Sequence, residues 1–147
     1  MNINQIFEFL NKIETISLAT LERNHPRVRL MALIKYNNKY WCCTKTSRPK
    51  IEQIKNNNLF EFCSKIEDGE KFGSIRASGR IKLIEDLEVK KELSGVISFF
   101  NAFWKSYDEP NFSLLQLDIE KIEIHNPYDK KFYSYNFEKT IEVLNKN

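Results

Sequence analysis

Glycine and proline are scarce in this chain, four of each among 147 residues, which excludes collagen-like or linker-rich architectures and long disordered tracts. Cysteine is rarer still. Its three copies are the adjacent pair Cys42 and Cys43 and a distant Cys63, so there is no disulfide framework and reduced thiols are expected. Neighbours on a strand point to opposite faces, so Cys42 and Cys43 are not expected to share a site. The two histidines, His25 in a predicted turn and His125 at a predicted strand end, have no cysteine or carboxylate at metal-ligand spacing, and no metal site is expected. No apolar run approaches the roughly 18 residues of a membrane span, and the opening MNINQIFEFLNK has no cationic leader. A cytoplasmic protein is expected, with no membrane partner. A charge excess is lacking too: 23 basic residues face 20 acidic ones, a balance that does not demand nucleic acid. Internal repeats, linkers, catalytic triads and carboxylate dyads are all absent.

Aromatic residues are present in quantity, with 11 Phe and 6 Tyr, and they predict a largely aromatic core. The length fits one domain, 1–147, with 126–147 as a candidate peripheral tail. Ile6, Phe7, Leu10 and Ile13 have helical spacing behind Asn2 or Asn4 as N-cap. TISLATL, a turn at ERNHP and the arm Arg27-Val28-Arg29-Leu30-Met31 predict a first hairpin. In that arm Arg27, Arg29 and Met31 share one face, and Val28, Leu30 and Ala32 the other. Such an arginine pair is either a solvated edge or a two-donor fork for a phosphate.

The stretch from Arg27 to Asn57 organises the chain. Leu30 to Ile34 and Tyr40 to Thr44 flank Asn37-Asn38, a pair suited to positive φ, which predicts a second hairpin. Thr44, Lys45, Thr46, Ser47, Arg48 and Lys50 then gather hydroxyls and cations where a strand hands over to a short helix near 50–57, a plausible anion site. Further on, LFEFCSKI, a turn at Asp68-Gly69 and KFGSIRASGRIKLI predict two strands. Gly73 and Gly79 in the second mark a bend, a bulge or a close approach. A helix is predicted over 85–94 and another through the aromatic spacing of Val96, Phe99, Phe100, Phe103, Trp104 and Tyr107. Phe112 to His125 is the closing strand. In the tail, Tyr128, Phe132, Tyr133, Tyr135 and Phe137 lie among lysines, and strand and loop both fit; Glu138 and Glu142 interrupt its basic character, against a nucleic-acid surface. Hairpins without βαβ alternation favour an antiparallel barrel with flanking helices over a doubly wound dinucleotide fold.

TISLATL, PRVRLMAL, CCTKTSRPKIEQIKNN and ASGRIKLIEDLEVKKEL together resemble the pyridoxamine 5′-phosphate oxidase-like family of flavin mononucleotide (FMN)-binding split β-barrels, over about residues 5–125. The resemblance is strongest to the general-stress-protein and nitroimidazole-resistance-like branch. It implies a mainly β fold, a six-stranded antiparallel Greek-key split barrel with flanking helices, and a homodimer with two FMN sites at its interface. By position it implies that Arg29, Met31, Ala32, Cys43, Thr44 and Lys50 hold the FMN phosphate and ribityl chain, with Thr46, Ser47 and Gln53 as further candidates. The second subunit is expected to supply Ser78, Gly79 and an aromatic, for which Trp104 is the candidate. The vitamin B6 oxidases of the family carry a Ser-Arg-Lys run and a carboxy-terminal segment with Trp and Arg. Here Arg48-Pro49-Lys50 stands in the run and the tail has neither residue, which argues against pyridoxamine phosphate oxidation itself.

The flavin carries its own redox chemistry. The expected function is therefore a flavin reductase or oxidoreductase passing electrons to a small organic acceptor, with NAD(P)H as the candidate donor. A non-catalytic flavin-binding stress-response module and a cofactor-free dimeric interaction protein are the alternatives.

Overall fold

The computed structural model describes residues 1–137, so Glu138 and Glu142 lie outside the described residues. Helix α1 (Ile3–Lys12) opens on a capping box in which Asn2 accepts from the Gln5 N–H and Gln5 answers the Asn2 N–H. Strands β1 (Thr15–Glu22) and β2 (His25–Ala32) form the first hairpin. His25 is thus a strand residue, and the turn is confined to Arg23 and Asn24, with Arg23 at φ 58°. Strands β3 (Ile34–Tyr36) and β4 (Lys39–Lys45) form the second hairpin, turning on Asn37 and Asn38 at φ 55° and 57°. Helix α2 (Pro49–Asn56), β5 (Leu59–Asp68), β6 (Lys71–Ile84), α3 (Leu87–Val96), β7 (Phe112–His125) and β8 (Phe132–Asn136) follow.

All eight strands join one antiparallel sheet in the order β2-β1-β5-β6-β7-β4-β3, with β8 paired to β7. Six were expected. The additional strands are the short β3 and β8, and β3 arises because the apolar run from Leu30 to Ile34 is not one strand. It breaks at Leu33, which is buried and donates its N–H to the Glu14 carbonyl at 2.9 Å. Consecutive strands β2 and β3 therefore sit at opposite ends of the seven-strand path. A one-residue link between the two ends forces the sheet to curl round on itself. The ends meet without a hydrogen-bonded ladder between β2 and β4; Cys42, donating its thiol to the Ala32 carbonyl at 3.3 Å, bridges them. This seam is the split of a split barrel.

The barrel interior is filled from β1, β5, β6 and β7 by Ile16, Leu18, Phe62, Ile75, Leu115 and Ile122, and α1 plugs it with Ile6 and Leu10. Strand β4 is buried on both faces. Cys42 points into the barrel, whereas Trp41 and Cys43 point outward into a second core with Leu93, Phe100, Trp104 and Phe112. The two cysteines thus occupy different cores, as their adjacency implied. The predicted aromatic helix over 96–107 does not form. Helix α3 ends at Val96, and a single 3₁₀ turn at Phe100–Ala102 follows. The aromatic spacing instead reflects packing in the second core, where Trp104 lies 5.4 Å from Phe100 and 4.8 Å from Phe112 between ring centres. The indole N–H of Trp104 donates to the Asn111 carbonyl at 3.0 Å.

The glycines of β6 do mark close approaches. A Cβ on Gly79 would stand 1.9 Å from the Asp118 carbonyl oxygen, at the register shift between Ser78 and Gly79, and one on Gly73 would stand 2.3 Å from that of His125. No helix among the described residues is long and apolar enough to cross a membrane.

Candidate functional site

Alternation along β2 sets the site. In register, Leu18 faces Arg29 and Ile16 faces Met31, so Arg29 and Met31 lie on the inner face of the β1–β2 ribbon with the barrel residues. Val28 and Leu30 are thereby turned outward, 69% and 73% exposed. This inverts the usual preference, since an arginine is drawn in and two aliphatic side chains are left in water.

Three donors of Arg29 are used inside the chain. Nη1 donates to the Leu18 carbonyl at 3.2 Å and to the Thr20 hydroxyl at 2.8 Å, and Nη2 donates to the Gln53 side-chain carbonyl at 3.0 Å. Pro49, at the first position of α2, fixes the turn that brings Lys50 and Gln53 to this corner. The Lys50 ammonium donates to the Thr44 hydroxyl, at the end of β4, across 2.8 Å. None of Arg29, Arg48 and Lys50 pairs with a carboxylate among the described residues. Burial, then repulsion from Arg29 and Arg48, holds the Lys50 pKa below the ordinary lysine value, and burial lowers that of Arg29. Cations crowded in this way without a counter-ion are relieved by an anion.

Beside this corner the split opens into a cavity of about 240 Å³, walled by Leu30, Met31, Ala32, Cys43, Phe99, Phe103 and Trp104, with Thr44, Lys45 and Arg48 as its polar lining. Burial pushes the Cys43 thiol up to about 12, so it is a neutral, small apolar wall and no nucleophile. Trp104 is 4% exposed and reaches the cavity at one edge, in the same chain as Thr44. Phe99 and Phe103 carry more open aromatic surface there, and sequence reasoning did not single them out. A larger cleft near Phe7 and Tyr40 contains Lys35, but that ammonium is committed to the Ile13 and Leu33 carbonyls.

The structure thus brings together Arg29, Met31, Ala32, Cys43, Thr44, Lys50, Gln53 and Trp104. It turns the Thr46 hydroxyl and the Ser47 backbone N–H toward the loop before β7 instead. The Thr46 hydroxyl donates to the Pro110 carbonyl at 2.8 Å and accepts from Ser113, and the Ser47 N–H donates to Asn111. Both tie the end of β4 to the loop before β7. Ser78 and Gly79 are three strands from β2 along the sheet path, with Ser78 on the outward face. Thr20 and Leu30 are additions of the structure. Arg48 was visible in the TKTSRPK cluster, but nothing in TISLATL distinguishes Thr20 from a ladder residue.

Comparison with known proteins fits this geometry. A family model described as pyridoxamine 5′-phosphate oxidase matches residues 3–126. The chain belongs to the pyridoxamine 5′-phosphate oxidase family. Among solved structures, a NimC/NimA family protein from Clostridium acetobutylicum is 21% identical, with a TM-score of 0.74, over 90% of each chain. A protein from the same organism related to general stress protein 26 is 20% identical, with a TM-score of 0.71, over 92% of this chain and 94% of that one. A heme binding protein from Mycobacterium smegmatis is 12% identical, with a TM-score of 0.73, over 88% of this chain and 55% of its own. These likenesses establish the shared fold and include the stress-protein and nitroimidazole-resistance branch suggested by the sequence. No curated protein matches the chain.

Proposed function

We propose that the chain is a homodimeric FMN-binding protein that acts as a flavin reductase or oxidoreductase on a small organic acceptor. The observation that carries this reading is the cluster of Arg29, Arg48 and Lys50, without a carboxylate partner among the described residues, with the Thr44 hydroxyl beside an apolar split. The phosphate fits the cations, and the flat ring system fits the wall of Leu30, Ala32, Phe99 and Phe103.

A cavity of about 240 Å³ is below the roughly 300 Å³ at which small-molecule pockets begin. The exposed pair Val28 and Leu30 continues its apolar wall outward. A second copy laid on this face would cover those side chains and complete the site, and its Ser78 and Gly79 are the candidates for the far wall. When bound, FMN supplies the hydride or electron transfer. The protein's part is to hold the phosphate, exclude water from one ring face and leave room for an acceptor.

Purified protein supplied with FMN and NADH or NADPH, with and without a nitroaromatic acceptor, is expected to oxidise the nucleotide. FMN binding without turnover would instead support a non-catalytic flavin module. Failure to bind FMN would leave a cofactor-free dimeric interaction protein.

A further inference from the structure

We infer that Thr20 and Gln53 are positioning residues that set which edge of the Arg29 guanidinium meets the phosphate, an inference that rests on the phosphate reading above. A guanidinium carries five N–H donors in a plane. They form two flat two-donor edges, Nη1/Nη2 and Nη2/Nε, plus one Nη1 hydrogen pointing back along the side chain. The Thr20 hydroxyl and the Gln53 carbonyl oxygen are 2.7 Å apart and accept from Nη1 at 2.8 Å and Nη2 at 3.0 Å. Two acceptors that close together are served by the Nη1/Nη2 edge. The remaining Nη1 hydrogen goes to the Leu18 carbonyl at 3.2 Å. Among the described residues the Nη2/Nε edge keeps both donors, a fork that matches two phosphate oxygens.

The support behind that edge is complete. Thr20 accepts from Arg29 and donates to Gln53. Gln53 donates its amide N–H to the Glu22 carboxylate at 3.1 Å, and that bond fixes the amide orientation, because a carboxylate needs a donor. Thr20 is 2% and Gln53 7% exposed, so their polar atoms are consumed inside the chain. Gln53, expected from the sequence to be a cofactor contact, acts through Arg29.

The test is titration of full-length protein with FMN and with riboflavin, which lacks the phosphate. Thr20→Val and Gln53→Met are expected to lose FMN affinity about tenfold, the worth of one charge-assisted hydrogen bond, with riboflavin affinity unchanged. Thr20→Ser should restore FMN binding, and Thr20→Val should cost nothing more once Arg29 is Ala. Should Thr20→Val not fold, Gln53→Met carries the same comparison. Equal losses for both ligands, no loss for either, or a Thr20→Val penalty that persists without Arg29 would overturn the inference while leaving the flavin reading intact. Wild-type protein that binds no FMN would overturn the flavin reading, and this inference with it.

Discussion

The Lys50 ammonium and the Thr44 hydroxyl, 2.8 Å apart, tie the first turn of α2 to the end of β4 and hold a cation at the mouth of the barrel split. Since Lys50 has no carboxylate partner among the described residues, its charge is available to a ligand. Lys50→Ala should weaken FMN binding by about 10- to 100-fold, the range of a hydrogen bond to a charged group, and leave riboflavin binding unchanged. Quenching of flavin fluorescence measures both affinities, and an unchanged FMN affinity would place the phosphate elsewhere.

The depressed Lys50 pKa gives FMN affinity an alkaline limb. A bound phosphate draws the Lys50 pKa back up toward the ordinary 10.5. The gain from charged Lys50 is then fully present below its depressed ligand-free pKa and is lost as pH rises from there toward the bound value. The Arg29 guanidinium stays charged throughout, and burial pushes the Cys42 thiol up so that it stays neutral. At the acid end affinity rises as the phosphate sheds its second proton at about pH 6. FMN titrations across pH should show both limbs, and riboflavin neither.

Leu30 is exposed and makes no core contact that an acid would break, so Leu30→Asp should fold normally. It should also sediment as a 17.5 kDa monomer and lose FMN affinity, if this face meets a second copy. A variant that remains dimeric would put the interface on another face.

Much of the fold was legible because local chemistry and tertiary packing agree. Asn37 and Asn38 have the positive φ their side chains tolerate, and the alternation of β1, β5 and β7 matches an inner face they actually bury. The seam was not legible. The apolar run from Leu30 to Ile34 has no turn residue, yet Leu33 is where the chain changes pairing partners. Nor could the sequence decide which face of β2 points inward, because the face left apolar is the one turned to water. The aromatic stripe near Trp104 misled for a related reason: large rings filling a small second core reproduce helical spacing without a helix.

Part of the candidate corner was legible, since Arg29, Thr44 and Lys50 were read together from the sequence and the fold brings them together at the junction of β4 and α2. Thr20 was not, because a threonine in a strand is ordinary and only the fold places it against Arg29. The Thr46 hydroxyl is consumed by the loop before β7, and Ser47 is tied to the same loop through its backbone N–H.

Two glycines should respond to alanine with opposite signs. Gly79→Ala forces a Cβ against the Asp118 carbonyl, and overpacking of this kind costs about 1–3 kcal/mol. Gly95 lies in α3 with nothing within 4 Å of a new Cβ, so Gly95→Ala should stabilise by about 0.5–1 kcal/mol. Urea denaturation of the two variants measures both changes.

The central claim is that the split of this barrel holds FMN, and the visible spectrum of the protein after incubation with FMN and removal of the free ligand tests it most directly. The account predicts a protein-bound flavin spectrum that Arg29→Ala and Lys50→Ala each diminish. A colourless protein, or a heme spectrum in place of the flavin bands, would contradict it.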